Sequence, residues 1–219
     1  MKKMTDPRVA ELMEALRTLA PRRPLTYGES LTLARAQAER LRSFVRADEP
    51  AIDLSWLVEQ TVVPVHFVPN YELHEKNSGL TTDLIGEKLQ MFVNQGEPQV
   101  RQRFSLLHEF KHALDFNDAK ILHERLGTGD DDLKHKMIEW VANEFAGQVL
   151  MPFEHVKKIW RKTGHDLALT ASFFNVSREA MRTRLERLNY IGDFKRPKGY
   201  FRSKTLHFDF APLRLEHAA

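Results

Sequence analysis

The stretch RFSLLHEFKH, Arg103–His112, places two histidines four residues apart, with a glutamate directly after the first, in an otherwise apolar run. Phe104, Leu107, Ala113 and Leu114 supply apolar anchors, and the spacing predicts a long helix over roughly Val100 to Phe116. On a helix, residues i and i+4 project from nearly the same side, so His108 and His112 can each offer a ring nitrogen to one ion. Glu109 points about a quarter-turn away. Its carboxylate can therefore reach a water beside the ion instead of the ion itself, which is the arrangement a zinc hydrolase requires. The plainer reading is a pair of structural histidines at the border of a core. It is harder to sustain, because adjacent buried imidazoles repel when charged and need separate partners when neutral.

A catalytic zinc usually takes three protein ligands and leaves one position open, so one more ligand must come from a separate element. Glu139 is the candidate. It opens a helical turn continued by Ala142, Asn143 and Ala146, whose small side chains let that helix approach the first. Spacing alone leaves two readings of Glu139 open, a ligand or a surface glutamate near a helix start. His123 and His135 have no paired spacing, and the acidic run at 129–132 reads as a solvated turn.

Working outward, the preceding chain divides into helices and short strands. Leucine and alanine periodicity predicts helices over 5–19 and 27–45, and DLSWLVEQ a short third one. TVVPVHFVP, GLTTDL and KLQMFVNQ follow as candidate strands, with IGE (85–87) as a hairpin turn between the last two. They predict a small antiparallel sheet in which 88–95 is an edge strand able to hold an extended peptide by main-chain hydrogen bonds. Beyond the histidine helix, HKMIEWVANEFAGQVL, FEHVKKIWRKTG and LALTASFFNVSREAMRTRLERL read as helices. The last is broken near Asn175, with Ser177 as a new N-cap. The fold class expected is α+β, mainly helical.

With 219 residues, 42% of them hydrophobic, the chain can build a packed core. A net charge of +3 argues against a disordered chain or an extended nucleic-acid arm. The absence of cysteine excludes disulfides, thiolate metal sites and a cysteine nucleophile. The N-terminal stretch is charged throughout and no segment approaches bilayer-spanning length, so a cytoplasmic protein with no membrane partner is expected.

RQRFSLLHEFKHALD, then EWVANEFAGQVLMP, then SFFNVSREAMRTRLERLNYI together resemble the ImmA/IrrE family of metallopeptidases, over about Ile52 to Ile191. The resemblance implies that His108, His112 and Glu139 hold Zn2+ or another divalent metal and that Glu109 is the catalytic residue. It implies a zincin-like core, the HExxH helix packed on a second ligand-bearing helix, followed by a C-terminal helix-turn-helix-like segment. The segments expected are 1–50, N-terminal and helical; 51–155, the metallopeptidase core; 156–192, helix-turn-helix-like; and 193–219, a C-terminal extension. It further implies an endopeptidase whose protein substrate is a helix-turn-helix repressor, cleaved to derepress stress-response or mobile-element genes.

Two features depart from the family pattern. Lys111 stands where a small residue is common, and its ammonium is expected to extend to solvent. Gly147 and Gln148 stand where alanine and glutamate are frequent. The donor for the tetrahedral oxyanion is open among Arg103, Tyr71, His74 and Tyr200. The competing class is a DNA-binding or antitoxin-like regulator that keeps the fold without activity, suggested by the basic residues from Arg161 onward. The modest overall charge weighs against it.

Overall fold

Local signals set most helix boundaries. In the computed structural model, which describes residues 6–69, 79–83 and 89–192, helix α1 spans Asp6–Arg17 and α2 spans Tyr27–Phe44. Thr26 and Glu29 form a reciprocal capping box at the start of α2, and Arg23 holds the Glu29 carboxylate at 2.8 Å. That ion pair brings the Glu29 pKa down to about 2. The short α3 spans Ser55–Glu59.

Three strands follow: β1 (Val65–Val68), β2 (Gly79–Asp83) and β3 (Leu89–Asn94). Their order is β1-β3-β2, with β1 parallel and β2 antiparallel to β3. The expected antiparallel sheet is therefore corrected to a mixed one, and β3 (89–94) is its central strand instead of an edge. Alternation within a strand reports which face is buried, not which neighbours the strand acquires, and this is why the sequence pattern misses both points. The segment IGE (85–87) lies outside the described residues.

Register decides what the sheet presents to the helices. Met91 and Val93 of β3 are fully buried, and Thr81 and Gly79 stand directly opposite them on β2. These four residues therefore share one face, and α4 (Gln99–Asp115) packs on β2 and β3. A 3-10 turn at Phe116–Asp118 and the short α5 (Ala119–Leu122) follow α4.

Helix α6 (Asp131–Leu150) packs on both α4 and α2. Asp130 caps it by accepting from the Leu133 amide, and Asp131 and Asp132 occupy its first turn. The acidic run is thus a helix start complementing the macrodipole, not a separate solvated turn. The core between α4 and α6 holds Leu107, Phe110, Val141, Phe145 and Val149, with the Phe110 and Phe145 rings 6.3 Å apart. The chain ends in α7 (Phe153–Lys162), α8 (Leu167–Phe174) and α9 (Arg178–Arg187). Asn175 closes α8 in the left-handed conformation, and the Ser177 side chain accepts from the Ala180 amide to start α9. Met181 and Leu185 of α9 join the same buried cluster as α1 and the sheet. Among the described residues no helix is long and apolar enough to cross a membrane.

Candidate metal centre

Burial of one face of α4 fixes what the other face presents. Leu106, Leu107, Phe110, Ala113 and Leu114 are buried, while His108 and His112 are half-buried on the flank facing α6. Arg17 donates to the carbonyls of Ala113 and Leu114, and so secures the C-terminal end of the helix. On the other side, buried Arg42 of α2 donates to the Val149 carbonyl and ties down the end of α6. Two anchored helices then hold three donor groups against each other.

Those groups are His108, His112 and Glu139, whose ligand atoms all lie within 4.8 Å of one another. The His108 and His112 Nε2 atoms are 3.0 Å apart. Glu139 Oε2 lies 3.1 Å from His108 Nε2, and Glu139 Oε1 lies 3.3 Å from His112 Nε2. Donors bound at about 2.0–2.1 Å in a tetrahedron stand about 3.3–3.4 Å from each other. The spacing and the N, N, O donor set therefore fit a zinc-sized divalent cation.

The tautomer supports the same reading. Asn143 Oδ1 lies 3.0 Å from His108 Nδ1, and a carbonyl oxygen only accepts, so His108 carries its proton on Nδ1. That leaves Nε2 as the ring nitrogen facing His112 and Glu139. Asn143 is one helical turn after Glu139, a spacing visible in the sequence, where its small size obscures this orienting contact. Alanine at Asn143 is expected to weaken zinc affinity by about 10- to 100-fold, measured by competition with a chelator. Unchanged affinity would mean that the contact does not orient the ring.

The charges agree. Burial opposes ionisation of Glu139, yet its hydrogen bonds to His108 and His112 hold its carboxyl well below the usual carboxylate range. Burial also opposes a charge on His108, but Glu139 and the nearby Glu109 outweigh it and raise the pKa. The centre of the site favours positive charge.

Glu109 is 5% exposed, and burial raises its pKa. Thr81 donates its hydroxyl to Glu109 Oε2 at 2.8 Å. A side chain at Gly79 would place its Cβ 2.6 Å from Glu109 Oε1, so only glycine lets the carboxylate lie against the strand. The two residues are two apart on β2 and cradle the two carboxylate oxygens. Neither carries a sequence signal, because the contact depends on how the sheet docks on α4.

Lys111 corrects an expectation. It is 1% exposed, and its Nζ donates to Gln37 Oε1 at 2.8 Å and to Asp115 Oδ1 at 2.5 Å, instead of reaching solvent. Asp115 Oδ2 in turn lies 3.4 Å from His123 Nε2. Burial opposes the Asp115 charge, but Lys111 and His123 outweigh it and keep the carboxyl below its usual range.

A cleft of about 880 Å³ runs past the three donor groups and is also lined by His123, His135 and one face of α9. Arg103 does not line it. Its guanidinium donates to the Ile52 carbonyl, so it is not placed to serve an oxyanion in the cleft. The other candidates for that role, Tyr71, His74 and Tyr200, lie outside the described residues.

A family model described as the IrrE N-terminal-like domain, a peptidase family, matches residues 70–186. That span is more than half of the chain and contains His108, Glu109, His112 and Glu139. No curated protein matches the chain.

Proposed function

Since the chain belongs to the ImmA/IrrE family of metallopeptidases, we propose that it is a zinc-dependent endopeptidase, with His108, His112 and Glu139 as the metal ligands and Glu109 as the general base. The observation that carries this reading is the meeting of those three donors beside a buried, cradled carboxylate in an open cleft. A divalent metal held by His108, His112 and Glu139 would supply Lewis-acid chemistry, polarising a carbonyl and acidifying water. The chain supplies the remaining functions. Glu109 takes the proton of the attacking water and returns it to the departing amine. Thr81 and Gly79 hold that carboxylate in one orientation. Among the described residues the outer edge of β2 has no partner strand, which suits an extended substrate held by main-chain hydrogen bonds.

The substrate proposed is a helix-turn-helix repressor, and the biological role is release of the genes it silences. DNA binding by α9 is less favoured, because the helix turns one face into the cleft and buries Met181 and Leu185. Incubating zinc-loaded protein with purified helix-turn-helix repressors from the same cell tests the proposal. A single cut, mapped by mass spectrometry and abolished by a chelator, is the expected outcome. A repressor that stays intact, together with a salt-dependent shift of duplex DNA, would favour the regulator instead.

A further inference from the structure

Helix α9 contributes a charged wall to the cleft that holds the metal centre, and the peptidase chemistry uses none of it. Arg184 is 5% exposed and fully engaged: it donates to the Met151 carbonyl at 2.9 Å, to Gln148, and to Glu144 Oε1 at 3.5 Å. Arg187, one turn beyond, differs. Its Nη1 reaches Glu144 Oε2 at 3.3 Å, its Nε is buried with no hydrogen-bond partner among the described residues, and its side chain is 27% exposed where it borders the cleft.

Among the described residues the local charge is unbalanced. The single carboxylate of Glu144 is contacted by Arg35, Arg184 and Arg187. Glu39 also acts on Arg35, but it lies on α2. The nearest acid on the cleft face of α9 is Glu179, two turns away. The partly exposed portion of a guanidinium that borders a cleft is matched by a carboxylate, which accepts its planar fork of N–H groups.

From these observations we infer that Arg187 forms a carboxylate-binding subsite of the cleft, selecting substrates with an acidic group near the scissile bond. The inference rests on the peptidase reading for its biological meaning, not for its physical basis. Arg187 and the three donor groups border the same cleft, so one bound chain can meet both. The carboxylate comes either from an aspartate or glutamate side chain or from the C-terminus of a chain ending there. The two sources share this chemistry and can be separated by amidation.

The test uses a random dodecapeptide library, with free or amidated C-termini, and the zinc-loaded Glu109→Gln protein immobilised as a trap. Retained peptides are sequenced. The expected result is an enrichment of roughly five- to tenfold for Asp or Glu at one position, or for free over amidated termini. It should be lost in Glu109→Gln/Arg187→Gln and partly kept in Glu109→Gln/Arg187→Lys. Glu144 retains Arg35 and Arg184 in these variants, so they are expected to fold, and thermal melting checks this. Retention without acidic preference, a preference that survives Arg187→Gln, or no retention at all overturns the subsite. The same library given to the wild-type protein tests the activity separately. Acidic capture without any cleavage contradicts the peptidase reading alone, whereas cleavage with no acidic preference contradicts the subsite alone.

Discussion

Glutamine in place of Glu109 is expected to leave zinc binding intact and to lower the rate of substrate cleavage by about 10²- to 10⁴-fold. The separation of the two effects follows from the geometry. Glu109 is not among the three groups whose donor atoms converge, so its neutral isostere leaves the ligand set untouched. Thr81 still has an oxygen to donate to in the glutamine side chain, and Gly79 still leaves room for it, so the side chain keeps its place. What is lost is the capacity to accept a proton. The measurement is paired: metal content by elemental analysis and turnover of the proposed repressor substrate by quantitative mass spectrometry. A variant that retains zinc and cleaves at the wild-type rate would remove Glu109 from the mechanism. A variant that loses zinc would mean that the carboxylate helps to hold the ion.

Alanine in place of Lys111 is expected to destabilise the protein by about 3–5 kcal/mol, the usual consequence of removing one partner of a buried ion pair. For a chain of this size that is a fall of roughly 6–20 °C in Tm. Asp115, 7% exposed in the native chain, would keep His123 as its one ionisable partner among the described residues, and Gln37 of α2 would lose the ammonium it binds across the helix interface. The cost comes from the stranded carboxylate more than from the missing attraction. Replacing both members, Lys111→Met with Asp115→Leu, should therefore recover most of the loss. Thermal unfolding followed by circular dichroism distinguishes the cases. A drop of less than about 1 kcal/mol in the single variant would show that the pair is solvated in solution.

These two residues also mark where sequence reasoning succeeds and where it stops. That His108 and His112 share one helix face follows from helical spacing alone, whereas for Glu139 spacing leaves a ligand and a surface glutamate both open and only the family resemblance favours the ligand; the fold brings the three side chains together. Lys111 is misread for a physical reason. A lysine stem commonly carries its charge to solvent, and the partners that reverse this include Gln37, 74 residues away on another helix. Thr81 and Gly79 are missed because their contact with Glu109 follows from strand register and the docking of a sheet face, neither of which leaves a local pattern. The central position of β3 is hidden in the same way. Asn143, one turn from Glu139, reads from sequence as a small residue for close packing, and only its 3.0 Å contact with His108 Nδ1 shows the orienting hydrogen bond. The cleft face of α9 could not be foreseen, since a helix-turn-helix-like pattern does not say what its second helix faces.

The most direct test of the whole account is X-ray absorption at the zinc edge, on purified zinc-loaded protein alongside its Glu139→Ala variant. One zinc per chain is expected in the wild type, with two imidazole nitrogens and a carboxylate oxygen at about 2.0–2.1 Å, and with weakened binding and a missing oxygen in the variant. A wild-type protein that binds no stoichiometric metal, or a variant whose zinc environment is unchanged, would contradict it.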